Sequence, residues 1–451
     1  MRGWAVLSLC VAVGCGVAGT SAPLFTGEPY LVVWAGDADR QQADFLALID
    51  ADPTSHSYGK VVQTIPVRSR GNEPQWINPE QRDDRHLFAS GLLTNRTFVF
   101  DLGNPLEGRL LRVDEAGPGR RLWAPHDYAT LPGGAVAVAC ADPVRYQGAA
   151  RELLSSPGGL VELGADGRLV REVSAADPGA HGLILAPFGI TTARTLDRLV
   201  TTNTAHGYAA TTRGERMPGI TIGVWRLRDL KLLHTVILDA GPRGEENLGP
   251  LVPRFLRGRP MLYVNTDQGS ALYASDSIHT ATPAMKLVFD FGADALASGA
   301  AITPDDRYHV TALTGANRVV ALDLADPWHP KLVSSVRLDR DPLDPGRART
   351  GGPHALAMSA DGTRIAVSDY TIDVPGYVRD GDRRVYVMRL DPATGRLRID
   401  PGFQDEFTGE VGIDFNRIRW PHGDTGPARP AGLLFVTAAP PPSTRGRDDE
   451  S

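Results

Sequence analysis

Short runs of apolar residues, each bounded by Gly, Asp, Asn or Pro, follow one another along almost the whole chain. The clearest units lie between Gly299 and Phe403, where a set of four strands around an acidic turn is written twice. The two turns, Asp305-Asp306 and Asp361-Gly362, are about 50 to 60 residues apart, a spacing typical of propeller blades. The runs are rich in Val, Ile, Leu and Thr, and long amphipathic helical periods are scarce. The pattern predicts an all-β fold.

Five further units precede this pair, and the full count predicts a seven-bladed β-propeller. The first unit has three strands and no obvious fourth. We expect the run Asn416 to Pro421, NRIRWP, to supply the missing inner strand and to close the ring of blades, which removes the open edges of the array. The propeller then occupies residues 23–439, and 440–451 form a Pro-rich, disordered tail. The acidic turns recur at one blade position, so we interpret them as turn chemistry.

The first 22 residues have the pattern of a secretory signal peptide. The apolar run from Trp4 to Val17 is shorter than the ~20 residues of a spanning helix, so we expect export to the periplasm or the exterior. An uncleaved anchor and a lipid anchor at Cys15 are the alternatives. Because Cys10 and Cys15 lie in this segment, the mature chain keeps only Cys140. We expect Cys140 to be a packed small hydrophobe and expect no internal disulfide.

The charge pattern excludes several classes of partner. The net charge is −6 and no basic stripe is present, so we expect no nucleic-acid partner. No segment after the N-terminus is apolar over the length that a membrane span needs. The sequence contains no phosphate-binding loop, no nucleophile elbow and no cysteine pair with zinc spacing. Candidate chemistry therefore depends on the histidines.

Three histidines are predicted on one face of the propeller. In a four-stranded blade, the start of the innermost strand and the end of the second strand lie on the same face. His126 and His354 open inner strands, and His206 ends a second strand. Three imidazoles can hold copper or zinc when they meet, although three different blades supply these and topology does not set their separations. The structural alternatives are caps of inner strands for His126 and His354 and an exposed loop for His206.

The ordered motifs from about Leu31 to Asp424 resemble those of the selenium-binding protein family. The resemblance rests on seven runs: FLALIDADP at Phe45 to Pro53, LLTNRTFVFDL at Leu92 to Leu102, PLVPRF at Pro250 to Phe255, TPDDR at Thr303 to Arg307, LADPWHPKL at Leu324 to Leu332, GGPHALAMSADGTRIAVS at Gly351 to Ser368, and RWPHGD at Arg419 to Asp424. Each run is weak by itself, and their order and spacing are specific. The family is a seven-bladed propeller, which agrees with the blade count.

The resemblance implies a function as well as a fold. Characterised members include methanethiol oxidases, which use copper to convert methanethiol to formaldehyde, sulfide and hydrogen peroxide. For this chain it implies His126 and His354 as metal ligands and Trp76 as a residue that shapes the thiol pocket. The predicted partner is therefore a small thiol or another small molecule.

Most of the family's metal-site positions are changed here. Glu73-Pro74-Gln75 stand where one motif has histidines, and Ala129 replaces the second histidine of another. The remaining changes are Ala205-His206 for Glu-Trp, Asn416-Arg417 for His-Glu, Val252 for an acidic residue and Gly299 for an aspartate. Whether the chain is an enzyme therefore stays open. The alternative is a non-catalytic propeller that binds a small molecule or a protein partner. A propeller hydrolase with an axial calcium is disfavoured, because Val252 and Gly299 occupy its acidic positions.

Overall fold

The computed structural model describes residues 26–115, 121–141, 157–204, 219–339, 352–374 and 377–438. Antiparallel strands form seven blades around one axis, so the predicted all-β, seven-bladed propeller is confirmed. The predicted signal peptide and the predicted tail lie outside the described residues, as do His206 and Cys15. No helix within the described ranges has the length and apolar character that crossing a membrane requires.

The strands are numbered in chain order, and blades 2 to 6 take four consecutive strands each. Blade 1 begins with β1 Tyr30–Asp37, β2 Phe45–Asp50 and β3 Val61–Pro66; blade 2 has β4 Pro74–Ile77, β5 His86–Gly91, β6 Arg96–Asp101 and β7 Arg109–Glu115; blade 3 has β8 Trp123–Thr130, β9 Val136–Ala141, β10 Gly159–Leu163 and β11 Leu169–Ser174. Blade 4 has β12 Pro187–Ala193, β13 Arg198–Asn203, β14 Thr221–Arg226 and β15 Lys231–Ile237; blade 5 has β16 Pro250–Phe255, β17 Leu262–Thr266, β18 Ala271–Ser275 and β19 Lys286–Asp290. Blade 6 has β20 Ala297–Ile302, β21 Tyr308–Leu313, β22 Arg318–Asp323 and β23 Lys331–Arg337.

The last part of the chain builds blade 7 and then returns to blade 1. Its strands are β24 Leu356–Met358, β25 Arg364–Ser368, the hairpin β26 Ile372–Val374 and β27 Tyr377–Arg379, then β28 Arg384–Leu390, β29 Leu397–Ile399, β30 Ile413–Asp414 and β31 Ala428–Val436. Short 3₁₀ turns lie at Pro105–Glu107, Pro132–Gly134, Pro178–Ala180 and Arg194–Leu196.

A C-terminal strand closes the ring of blades, as predicted, but the predicted segment was wrong. The inner strand of blade 1 is β31, which pairs with β1 from Tyr30–Val436 to Asp37–Ala428. The run Asn416 to Pro421 lies in the loop that precedes β31. There Arg417 binds the carboxylates of Asp405 and Glu406, each at 2.9 Å, which fixes this run in the loop. All nine residues of β31 are buried, as an inner strand requires.

The acidic turns are architecture, as the sequence indicated. Asp305 Oδ1 accepts the Thr303 hydroxyl at 2.6 Å and the Arg307 amide at 3.1 Å. In the next blade, Asp361 Oδ1 accepts the Thr363 amide at 3.0 Å. Asp305 and Asp361 thus bond their own turns. Asp306 instead accepts the Arg257 and Gly258 amides of blade 5, at 2.8 and 2.7 Å. Cys140 is buried in an apolar cluster of blades 2 and 3, in agreement with its prediction as a packed hydrophobe.

The inner strands share a bulge that aims side chains at the axis. In β4, β8, β12, β16 and β20 the register shifts so that two residues oppose one residue of the second strand. A bulge of this kind re-aims the two residues that it contains. These pairs are Gln75-Trp76, His126-Asp127, Phe188-Gly189, Leu251-Val252 and Ser298-Gly299. Of the candidate residues, Trp76 and His126 therefore lie in the bulges of blades 2 and 3.

In most of these blades, a polar side chain on the second strand accepts a hydrogen bond from a backbone amide of the bulge. Ser90 Oγ accepts the Trp76 amide at 3.0 Å in blade 2. Thr202 Oγ1 accepts the Gly189 amide at 2.9 Å in blade 4, and Asn265 Oδ1 accepts the Val252 amide at 3.0 Å in blade 5. Such partners are needed because a buried amide without one costs free energy.

Candidate site at the mouth of the axial channel

Apolar side chains from five blades meet on the axis. They are Trp76, Phe188, Leu251, Val252, Ala300 and Ala355, all buried, and we call them the axial cluster. Each comes from an inner strand or, for Ala355, from the residue directly before β24. The mouth of the axial channel, near the face where the inner strands begin, therefore has an apolar floor.

The two described candidate histidines border this cluster. The His126 ring centroid lies 4.2 Å from that of Phe188, and the His354 ring centroid lies 5.3 Å from that of Trp76. Both histidines are buried, with exposures of 4% and 6%. The structure thus brings His126, His354 and Trp76 to one apolar cluster, and each imidazole packs against a different aromatic ring. Their roles in metal and substrate binding stay predictions.

The described residues form no metal-binding group around these imidazoles. Within the described ranges, no set of three or more His, Cys, Asp or Glu side chains is arranged to hold a metal ion. The third predicted ligand, His206, falls outside those ranges. Gly299 leaves no room for the family's aspartate, since an added Cβ would lie 2.2 Å from the His354 carbonyl oxygen.

Trp76 contributes a buried donor to the axial cluster. Its indole Nε1 is buried and has no hydrogen-bond partner among the described residues. Its backbone amide, in contrast, is held by Ser90. A buried indole N–H usually finds an acceptor, so this donor is available to a ligand in the channel mouth.

Glu73, which stands where the family motif has a histidine, ties three blades together. Its carboxylate accepts the Asp373 amide at 2.9 Å, the Arg40 guanidinium at 3.0 Å and the Tyr370 hydroxyl. Burial raises the pKa of Glu73, and these three donors oppose the shift. Gln75 adds a bond from Nε2 to the Thr371 carbonyl at 3.1 Å. The changed motif therefore connects the start of β4 to the β26–β27 region of blade 7.

Asp127, the bulge partner of His126, was not predicted from the sequence. Blade 3 has Ala139 where the second strands of blades 2, 4 and 5 carry a polar residue, and Asp127 places a hydrogen-bond acceptor within the bulge itself. Its carboxylate accepts the Tyr128 amide at 2.8 Å and the Ile190 amide of the next blade at 3.2 Å. Burial raises the pKa of Asp127 to about 6, although Arg254 and these amides oppose the shift. A carboxylate within a predicted inner strand was the signal that could have identified it.

Replacing Asp127 with Asn should remove a loss of folding free energy that grows as the pH rises. The pKa of Asp127 is about 6 in the folded protein, against about 3.9 for an ordinary aspartate. Its contribution to stability is therefore present below pH ~4 and lost as the pH rises through 6. Between pH 4 and pH 7.5, we expect the unfolding free energy of Asp127→Asn to gain about 3 kcal/mol relative to the native chain. Urea unfolding at the two pH values measures this, and a constant difference between the two proteins would contradict it.

The chain is similar to known proteins both in sequence and in fold. No protein-family model matches the chain. A methanethiol oxidase from Hyphomicrobium sp is 33% identical over 147 residues, which is 31% of this chain and 33% of that protein. The chain thus matches about a third of the length of this curated relative. Among solved structures, a hypothetical selenium-binding protein from Sulfolobus tokodaii aligns with a TM-score of 0.72 and 19% identity, over 91% of this chain and 94% of the other. The periplasmic gluconolactonase of Pseudomonas aeruginosa aligns with a TM-score of 0.59 and 14% identity, over 91% and 99% of the two chains.

The fold and the axial cluster define a seven-bladed propeller with an apolar site at the mouth of its axial channel. The structural matches support this architecture and, at their low identity, the fold alone. The sequence match adds the relationship: the resemblance to the selenium-binding protein family, of the methanethiol oxidase-like type, is confirmed.

Proposed function

We propose that this chain is an exported member of the selenium-binding protein family and that it binds a small thiol at the mouth of its axial channel. The observation that carries the proposal is the buried Trp76 indole N–H, which has no hydrogen-bond partner in the described part of the chain and belongs to the axial cluster. Trp76 and Phe188 supply the aromatic walls, and His354 and His126 pack against them.

The chemistry of this pocket matches a small thiol. Sulfur is polarizable and makes favourable contacts with aromatic rings. It is also a weak acceptor, which suits an indole donor enclosed by apolar side chains. A strongly polar ligand would lose its hydration without compensation, because the other members of the axial cluster are aliphatic or aromatic.

Copper is the cofactor that the resemblance implies, and the described residues do not complete a site for it. Imidazole is a ligand that copper prefers, and the channel mouth has His126 and His354. Each of these packs on an aromatic ring, and no group of three donors occurs within the described ranges.

Methanethiol oxidation is the second candidate, and the 33% identical methanethiol oxidase favours it. In this proposal the copper ligands are His126, His354 and His206, and the products are formaldehyde, sulfide and hydrogen peroxide. The thiol pocket is the same in both candidates. They differ in whether the chain holds copper and consumes oxygen.

Replacing Trp76 with Phe tests the thiol pocket. The change keeps an aromatic wall and removes the indole donor, so we expect ethanethiol to bind roughly fivefold more weakly, equivalent to about 1 kcal/mol. The matched control is Trp328→Phe on the blade rim, where the indole packs under Lys286 at 5.1 Å. Calorimetric titration of the purified mature chain measures both. Equal affinity in Trp76→Phe and the control, or no saturable binding in the native chain, would overturn the proposal.

Bound copper and oxygen uptake distinguish the two candidates. If the chain is an oxidase, the purified protein retains stoichiometric copper and consumes oxygen with methanethiol. His126→Ala and His354→Ala should each abolish both properties, and His329→Ala at an exposed turn should preserve them. A metal-free protein that binds ethanethiol and consumes no oxygen would exclude the oxidase and leave the binding function.

A further inference from the structure

The proposed thiol pocket is closed to solvent in this structure. No member of the axial cluster has more than 7% of its surface exposed, and the indole Nε1 of Trp76 is buried. The adjoining rings of His126 and His354 are buried as well. A ligand can reach a site of this kind only when a covering element moves aside. The proposed function therefore requires an element that opens.

Residues 370–373 cross the mouth of the axial channel, and we call them the crossing segment. They come shortly after β25 of blade 7 and contain the start of β26. The bulge of β4 aims Gln75 at the axis, and Gln75 Nε2 donates to the Thr371 carbonyl at 3.1 Å. Blade 1 lies between these two blades, since β31 contacts both β25 and β4. The segment thus extends from blade 7, over blade 1, to the Gln75-Trp76 bulge of blade 2.

Blade 7 holds the base of the crossing segment through backbone hydrogen bonds. The Asp369 amide donates to the Arg384 carbonyl at 2.8 Å, and the Arg383 amide donates to the Asp369 carbonyl at 3.0 Å. Beyond this base, β26 pairs only with β27 in the part of the chain that the structure describes. The segment belongs to no blade sheet, so it can pivot about its base while every blade stays intact.

Side chains fasten the crossing segment to blades 1 and 2. Glu73 accepts the Tyr370 hydroxyl and the Asp373 amide, the second at 2.9 Å. Arg40 binds Glu73 at 3.0 Å and also donates to the Asp373 carbonyl. Arg429, the second residue of β31, binds the Asp373 carboxylate. Each of these contacts uses at least one side chain, and Glu73 joins most of them.

The closed arrangement leaves polar atoms without hydrogen bonds. Thr371 Oγ1 and Arg40 Nε are buried, and neither has a hydrogen-bond partner among the described residues. A buried polar group without a partner costs free energy, and it regains hydration when the segment opens. Opening is therefore easier than the contacts with Glu73 alone would allow.

We propose that the crossing segment is the gate of the thiol pocket: its contacts with Glu73 hold it closed, and its opening lets a ligand reach Trp76. The inference rests on the proposed thiol-binding function, because it takes that pocket as the gated site. Glu73 is a positioning residue in this role, since it acts through Tyr370 and Asp373. The gate contact is a property of this chain, because Glu73 stands where the family motif has a histidine.

Hydrogen exchange of the Trp76 indole N–H measures the opening without any ligand. The exchange is followed by NMR in the purified mature chain with isotope-labelled tryptophan, and Trp76→Phe assigns the signal. We expect exchange at Trp76 to be at least roughly tenfold faster in Tyr370→Phe, because the closed state loses a hydrogen bond to a charged group. The change removes only the hydroxyl that Glu73 accepts and keeps the aromatic ring.

Two controls separate opening of the gate from a general loss of stability. Trp34 is the internal control, because its indole donates to the Ser90 carbonyl at 2.8 Å between blades 1 and 2, and its exchange should stay unchanged. Tyr58→Phe is the matched variant, because its hydroxyl also bonds a carboxylate, that of Asp400 at 2.8 Å. Tyr58 lies between β2 and β3 on the face opposite the channel mouth, so this variant should leave the exchange of both indoles unchanged.

Stopped-flow binding of ethanethiol tests whether the same opening admits the ligand. In Tyr370→Phe we expect the association and dissociation rate constants to rise by the same factor, because the gate is weakened equally with and without ligand. The dissociation constant should change by less than about twofold for the same reason. Asp373→Asn, which removes the charge that Arg429 binds, should act in the same direction and replaces Tyr370→Phe if that variant fails to fold.

The exchange and binding measurements distinguish failure of the gate from failure of the proposed function. Unchanged exchange at Trp76 in both gate variants, or an equal rise at Trp76 and Trp34, would overturn the gate. Unchanged rate constants together with saturable ethanethiol binding would also overturn it and leave the thiol-binding function. Faster exchange at Trp76 alone, in a chain that binds no ethanethiol, would overturn the thiol-binding function and support an opening over the axial cluster.

Discussion

Truncation of the chain after Asp424 should abolish cooperative folding. The truncated chain lacks β31, whose pairing with β1 closes the ring of blades. Four large side chains of β31 are buried, and each contributes about 1.5–3 kcal/mol to the folding free energy. They are Leu433, Leu434, Phe435 and Val436. Their combined loss is comparable with the roughly 5–15 kcal/mol that stabilises a typical domain. The truncation also exposes the unpaired edge of β1, which favours aggregation.

The matched control for this truncation is a chain that ends after Ala438, which retains all of β31. Thermal unfolding followed by circular dichroism, together with size-exclusion chromatography, compares the two proteins. The control should melt cooperatively as a monodisperse species, and the shorter chain should not. A cooperative transition in the shorter chain within about 5 °C of the control would show that β31 is dispensable for closure.

Gly299→Ala should destabilise the propeller by about 3 kcal/mol or more, because the new Cβ would meet backbone that cannot move aside. An ideal Cβ at this position lies 2.2 Å from the His354 carbonyl oxygen, which itself accepts the Gly299 amide at 2.9 Å. Gly299→Asp, which reinstates the residue type of the related oxidases, should be at least as destabilising and should not create a metal site.

Gly402→Ala is the control for the substitutions at Gly299. A Cβ added at Gly402 would lie 3.4 Å from its nearest neighbouring atom, which is an ordinary contact distance. Urea unfolding at pH 7.5 measures the three variants against the native chain. A loss below about 1 kcal/mol in Gly299→Ala would mean that blades 6 and 7 can separate at this point. The aspartate that the family has at this position could then be introduced at Gly299 by substitution.

The loss of the family's metal-site motifs has a structural counterpart on the axis. Glu73 now binds Arg40, Tyr370 and the Asp373 amide, so a position at which the family has a histidine has become a contact between blades. Val252 belongs to the axial cluster, and at Gly299 the neighbouring blade approaches too closely for a side chain. These positions are occupied by packing and hydrogen bonding. Reinstating one ligand would therefore disturb the contacts that replaced it.

The repeat in the sequence predicted the blade count and the closure of the ring, because each blade needs the same strand pattern and the same turns. It also predicted that His126 and His354 would lie on one face, and both border the axial cluster. It did not predict which segment closes the ring. The run at Asn416 resembled a strand locally, yet Arg417 is anchored to Asp405 and Glu406, and the fully buried β31 was available further along.

The sequence by itself determined the fold class of this protein, since alternating short strands and recurrent turn residues are local features that the blades repeat. Only the tertiary structure decided what lies on the axis. Trp76, Phe188 and Val252 are distant in sequence and meet because the bulges of three inner strands aim them at one point. The charge of Arg254 in blade 5, which lowers the pKa of Asp127 in blade 3, likewise acts between blades that are not consecutive in the sequence. Contacts across the axis arise from closure of the ring of blades, and no local pattern encodes them.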